Sequence, residues 1–127
     1  MANYIFPDDI VIAILHHVKT GDRSFTADRE KLHRTFFRLK NSDPKSMKVL
    51  GFRDRGMFPE STELDQAFSN LEATGLLQRQ NENPRCYFIQ KELDGAYQDF
   101  VSKRIKSVGI KNTQVKKLAE DFIAECS

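Results

Sequence analysis

From Ser69 to Ile89 the chain reads SNLEATGLLQRQNENPRCYFI. Apolar residues at helical spacing stop at Thr74-Gly75. Two short apolar runs follow, Leu76 to Gln80 and Arg85 to Ile89, around Asn81-Glu82-Asn83-Pro84. Glycine closes helices in the left-handed conformation that other residues avoid, and Asn and Pro supply turn chemistry. The spacing therefore predicts a helix that hands over directly to a β-hairpin. A fold holding such a unit has to cover one face of the hairpin with helices, which points to the α+β class.

The length, 127 residues, suits one domain with one core. Ten Phe and no Trp place much of that core volume in phenylalanine. Upstream of the hairpin, Pro7-Asp8-Asp9 opens a helix, because Pro fits a first turn and carboxylates suit the positive end of the helix dipole. Its stripe is Ile10, Val11, Ile14, Leu15 and Val18, and Thr20-Gly21-Asp22 stops it. Thr26 or Asp28 caps a second helix with apolar face Leu32, Phe36 and Leu39, Phe37 alongside, ended by Asn41-Ser42-Asp43-Pro44. Residues 45 to 59 are expected to form a short strand or turn that buries Val49, Leu50, Phe52, Met57 and Phe58. Pro59-Glu60-Ser61-Thr62 then starts a third helix carrying Leu64, Ala67, Phe68 and Leu71.

Two more helical patterns follow the hairpin. Leu93, Ala96, Tyr97, Phe100 and Ile105 form one, ending near Val108-Gly109. Asn112 or Thr113 caps the other, where Val115, Leu118, Ala119, Phe122, Ile123 and Cys126 share a face. That last helix is expected to pack on its own domain, or else to offer Leu118 and Phe122 to a homodimer seam.

Helix, helix, short extended piece, helix and hairpin is the winged-helix order. The segment RGMFPESTEL, Arg55 to Leu64, with Ala67, Leu71 and Gly75-Leu76-Leu77, resembles the winged helix-turn-helix families of bacterial regulators and toxin–antitoxin accessory proteins. The resemblance covers roughly Ile10 to Ile89. It implies a mostly helical α+β winged helix-turn-helix with a two-stranded β-hairpin wing, residues 1–90; the two helical patterns beyond it are read as two extra C-terminal helices, residues 91–127, that extend the domain. It also implies that the third helix, from Ser61 to Thr74, is the recognition helix of a small regulator that binds DNA.

Charge divides that implication. Thr62, Glu63, Asp65, Gln66, Ser69, Asn70, Glu72 and Ala73 are the expected outward residues of the third helix. From Glu60 to Gly75 there are four acids and no Lys or Arg, although phosphate neutralisation supplies most DNA affinity and Arg or Lys to guanine is the commonest base contact. From Arg29 to Arg55, nine cations face three acids, a net of +6. Two functions follow. The first is nucleic-acid binding, with Lys31, Arg34, Arg38, Arg79 and Arg85 on phosphates and Gln66, Ser69 and Asn70 as marginal base readers. The second is a protein–protein adaptor, with Glu63, Asp65 and Glu72 as an acidic docking surface. The +6 and −4 surfaces are also complementary and can meet within the monomer, between copies or across a partner interface.

Other chemistry is not expected. The adjacent His16-His17, His33 and Cys86 lack metal-ligand spacing. Cys86 and Phe88 share one face of an alternating strand, which is expected to be the buried one. No phosphate loop, nucleophile elbow or Ser/His/Asp constellation is present in the sequence, so neither an enzyme, a cofactor nor a small-molecule substrate is expected. Two cysteines make no disulfide framework, and the apolar run Ile10 to Leu15 follows two acids and is too short for a bilayer. A cytoplasmic protein without membrane partners is the expectation.

Overall fold

The computed structural model describes residues 4–54 and 56–127. The elements are α1 (Pro7–His16), β1 (Ser24–Thr26), α2 (Arg29–Ser42), β2 (Arg53–Asp54), β3 (Pro59–Glu60), α3 (Thr62–Ala73), β4 (Leu77–Gln80), β5 (Cys86–Ile89), α4 (Lys91–Ala96), α5 (Ser102–Ser107) and α6 (Asn112–Cys126). A π-helical turn, Tyr97–Val101, joins α4 to α5 without a break. The fold is α+β and mostly helical. Among the described residues no helix is long and apolar enough to cross a membrane.

The centre is α1. Its expected stripe is buried, but so are Ile12 and Ala13. The reason is position: α3 packs on one side, and α4, the π turn, α5 and α6 cover the rest. A helix apolar all round is a buried one, and the unbroken run Ile10 to Leu15 carried that signal. The helix ends at His16, so Val18, still buried, belongs to the turn that follows.

Strand β1 has no counterpart among the expected elements, since Phe25 is its one apolar residue. It pairs antiparallel with β5, and β4 pairs antiparallel with β5 on the other side, giving the order β1-β5-β4. The register sets Phe25 opposite Tyr87 and Leu77 opposite Ile89, and all four are buried. The inward face of β5 is therefore Tyr87 and Ile89. Cys86 and Phe88, expected in the core, lie half-buried on the other face. A one-residue change of phase reverses every side chain in a strand, and the partners Phe25 and Leu77 decide it.

The third helix follows its sequence closely. Ser61 caps α3, its Oγ accepting the Leu64 N–H at 3.1 Å. Gly75, at φ +79°, closes it: the Leu76 N–H reaches the Leu71 carbonyl at 2.9 Å and the Gly75 N–H reaches Glu72 at 3.1 Å. Asp28 caps α2, while Thr26, the other candidate, lies in β1. Between α2 and α3, turns lead into the two-residue ladder β2–β3. Leu50 is buried there and Val49, Phe52 and Phe58 half-buried, but Met57, expected inside, is 88% exposed at the tip. Met47 takes the buried role. Arg55 lies outside the described residues.

The π turn changes which residues face inward. An uninterrupted α-helix carries Leu93 and Tyr97 on to Phe100, but the wider turn absorbs a residue, so Val101 and Ile105 are buried. Phe100 is left 61% exposed. At α6, Asn112 and Thr113 are not caps. The helix begins at Asn112, and the Gln114 side chain accepts the Lys111 N–H at 2.8 Å. Leu118 and Phe122, offered to a dimer seam, face this chain's own core instead. The Phe122 ring lies 5.2 Å from Phe25 and 5.4 Å from Phe36, between β1 and α2. Burying one such ring contributes about 2–3 kcal/mol.

Candidate functional site

The meeting place of α2, α3 and the β4–β5 hairpin holds Asp65, Ser69, Glu72 and Arg79 of the expected site residues. It is built on His33, 1% exposed on the inner side of α2. Nδ1 of His33 accepts the Ser61 N–H at 3.0 Å. A backbone N–H can only donate, so Nδ1 carries a lone pair and the ring proton sits on Nε2, which donates to Asp65 Oδ1 at 2.8 Å. The ring is thus a neutral bracket between the start of α3 and its first turn. Burial holds His33 below the ordinary imidazole pKa, outweighing the opposing hydrogen bond to Asp65.

Arg29 closes the same site from outside. Its Nε and Nη2 grip both oxygens of Asp65 at 3.0 and 2.7 Å, and Nη1 reaches Glu60 at 2.8 Å. Burial by itself would raise the Asp65 carboxyl, but the bonds from Arg29 and His33 leave it below its ordinary value. Those acceptors in turn push the Arg29 guanidinium up. On the hairpin side, Arg79 lies 3.7 Å from Glu72 and over the Tyr87 ring at 5.2 Å. Glu63 accepts the Gly51 N–H at 3.0 Å. Every carboxylate of the acidic third helix therefore has a partner within this chain, and the two complementary stretches meet inside the monomer at Arg29. A cleft of about 250 Å³ remains between α2, α3 and the hairpin, with Ser69 at its edge.

The five phosphate candidates do not form one free basic face. Arg34 is engaged with Glu30 and with the Met57 carbonyl, both at 2.9 Å. Arg38 pairs with Glu125 of α6, and Arg79 with Glu72. Lys31 and Arg85 are exposed with no ion pair among the described residues. Of the base readers, Gln66 donates to Asn70 at 3.0 Å and Asn70 donates to Asp8 at 3.1 Å, which ties both to the start of α1. The exposed residues of α3 include Thr62, Gln66, Ser69 and Ala73, all uncharged. Glu63, Asp65, Asn70 and Glu72, expected outward, are half-buried.

Two polar clusters had no place in the sequence reading. Asp94 accepts both Arg23 Nη1 and Nη2, at 2.7 and 2.9 Å, and lies 2.7 Å from His16 Nδ1. The Arg23 bonds hold its carboxyl well below the usual range against the opposing effect of burial. The ring of His16 stacks on Tyr97 at 4.0 Å. Asp9, read as a helix-start carboxylate, does accept the Phe6 N–H at 2.9 Å, and it also takes Arg104 at 2.8 and 2.9 Å. These bonds pin α1 to α4 and α5. Partners 71 and 95 residues apart leave no local trace in a sequence. One signal was available: from Ser102 to Ala119 the chain carries six cations and no acid. Among the described residues no cluster of His, Cys, Asp and Glu is arranged to hold a metal ion. Compared with family models, with curated proteins and with solved structures, the chain matches none.

Proposed function

We propose that the chain is a winged-helix module that binds a protein partner rather than duplex DNA. Support for the winged-helix part comes from the element order α1, β1, α2, β2, β3, α3, β4, β5 and the sheet order β1-β5-β4, with α3 preceding the β4–β5 hairpin as a recognition helix precedes a wing. One observation carries the functional part. Arg29 and Arg79, which line the cleft beside α3, are engaged with Asp65, Glu60 and Glu72 of the same chain. The helix that would enter a groove then has an uncharged exposed face between internally paired acids.

Of the five phosphate candidates, Lys31 and Arg85 are left without an ion pair among the described residues. Two phosphate contacts release few counterions, for a salt slope of about −1.8 at most, where regulators with strong affinity make many more. The test is fluorescence anisotropy of a labelled random-sequence duplex, titrated with protein at low salt and then with salt. Binding too weak to saturate, with a shallow salt dependence, is expected. Tight binding that falls steeply with salt and weakens in Arg34→Ala/Arg38→Ala would refute the proposal.

A further inference from the structure

Building on the protein-binding proposal, we infer that a cleft remote from the wing is the docking site, and that it takes an acidic peptide segment bearing an apolar anchor residue. The cleft, about 530 Å³, lies between the N-terminal segment, the turn after α2 and the α5–α6 connection. Ile5, Val49, Val108 and Ile110 give it apolar walls, with Lys45 and Lys48 at the edge. That volume falls within the range of sites that hold a small ligand or a few side chains.

Charge names the class of partner. The stretch Pro44 to Phe52 carries Lys45 and Lys48 and no acid, and Ser102 to Ala119 carries six cations and no acid. Of these eight cations, Lys45 and Lys48 line the cleft, and Arg104 and Lys117 are paired with Asp9 and Asp121. Lys45 and Lys48 are exposed and make no ion pair among the described residues. The nearby carboxylate of Asp43 is already held by the Ser46 N–H and hydroxyl, at 3.2 and 2.6 Å.

Shape separates a peptide from a nucleic acid or a small acid. The polar side chains lining the cleft are mostly satisfied: Ser46 by Asp43, and the Gln114 oxygen by Lys111. Few groups remain to read bases or sugars, whereas aliphatic walls suit a Leu or Phe anchor. The apolar surface also continues beyond the cleft. Tyr4 is 62% and Phe6 50% exposed, with their rings 5.3 Å apart. Arg104 lies over Phe6 at 5.9 Å. Tyr4 lines the cleft and Phe6 adjoins it, so two of the exposed large hydrophobics border this face. A contiguous apolar patch rimmed by charge marks an interaction site larger than a small molecule covers.

The experiment pans a phage-displayed random dodecapeptide library on the full chain, then measures the enriched peptides by fluorescence anisotropy. Enrichment of sequences with several Asp or Glu around one large apolar residue is expected. Lys45→Glu/Lys48→Glu should weaken them about tenfold at low salt, and Tyr4→Ser/Phe6→Ser should do so at high salt as well. No enrichment, or binding insensitive to all four changes, overturns the cleft. If such peptides respond instead to Met57→Ser, protein binding stands and the site is elsewhere. A single-stranded oligonucleotide bound more tightly than any peptide and lost in the lysine variant makes nucleic acid the occupant. A concentration-dependent dimer lost in that variant makes it a second copy of this chain. Duplex binding with a steep salt slope removes the protein-binding proposal itself.

Discussion

His33 should make folding stability depend on pH in one direction. In the folded chain its Nδ1 is occupied by the Ser61 N–H, and burial keeps its pKa below the ordinary 6.5. In the unfolded chain the ring takes up its proton near that ordinary value. Below it the unfolded state binds more protons than the folded state, so stability is complete above the unfolded pKa and falls as pH drops through it towards the folded one. For one ring that stays neutral when folded, going from about pH 7.5 to about pH 5.5 costs at most about 1.4 kcal/mol. The depressed carboxyl of Asp65 acts elsewhere, since its contribution is lost only as pH falls below its unfolded value of 3.8. His16 and His17, also lowered chiefly by burial, act in the same direction as His33. The whole-protein loss is therefore not diagnostic, and a variant is needed.

Glutamine at 33 cannot titrate, yet its amide can accept from the Ser61 N–H and donate to Asp65. Urea unfolding followed by far-UV circular dichroism, at both pH values for both proteins, removes any constant cost of the substitution. His33→Gln is expected to lose about 1 kcal/mol less than the parent between the two pH values. Equal losses would refute the assignment of the lone pair to Nδ1 and the buried neutral ring. So would an imidazole resonance of His33 that titrates at or above 6.5.

Phe122→Ala should cost about 3–5 kcal/mol in the same urea assay, because the ring is wholly buried against Phe25 and Phe36. A loss under 1 kcal/mol would mean that α6 is not part of the core. Gly75→Ala should cost about 1 kcal/mol without any clash, since space is open around Gly75 and only its φ of +79° opposes a side chain. Thermal unfolding measures it, and an unchanged midpoint would refute the strain. Burial pushes the Cys126 thiol up, whereas Cys86 is half-buried, so a thiol reagent should label one cysteine quickly and the other only on unfolding. Fast labelling in Cys86→Ser would show that α6 opens readily.

The parts of the fold legible in the sequence are those where a single element decides its own fate. The inner face of α3, its Ser61 cap and its Gly75 exit follow from spacing and local chemistry, and so do the hairpin strands to within a residue. Where a neighbour decides, the sequence is silent. The facing of β5 depends on β1, a three-residue strand with no periodicity to read. Phe100 faces solvent because a π turn downstream of Leu93 shifts the helix by a residue, and its apolar character alone points the other way.

Charge shows the same boundary more sharply. The Arg34–Glu30 pair is four residues apart and visible on any helix, but Arg29 meets Asp65 across 36 positions. Summed by segment, α2 and its loop look like a phosphate-binding surface and α3 like an acidic docking face. Once the two helices pack, Arg29 takes up both Asp65 and Glu60, so each surface is partly spent on the other. Segment charge becomes informative only where no opposite charge can reach it. Arg29, Arg34 and Arg38 have acids as ion-pair partners, whereas among the described residues Lys45 and Lys48 have none, and two of the six cations between Ser102 and Ala119 are paired, Arg104 with Asp9 and Lys117 with Asp121. Where acids are missing, not where cations are most numerous, an acidic partner has something left to neutralise.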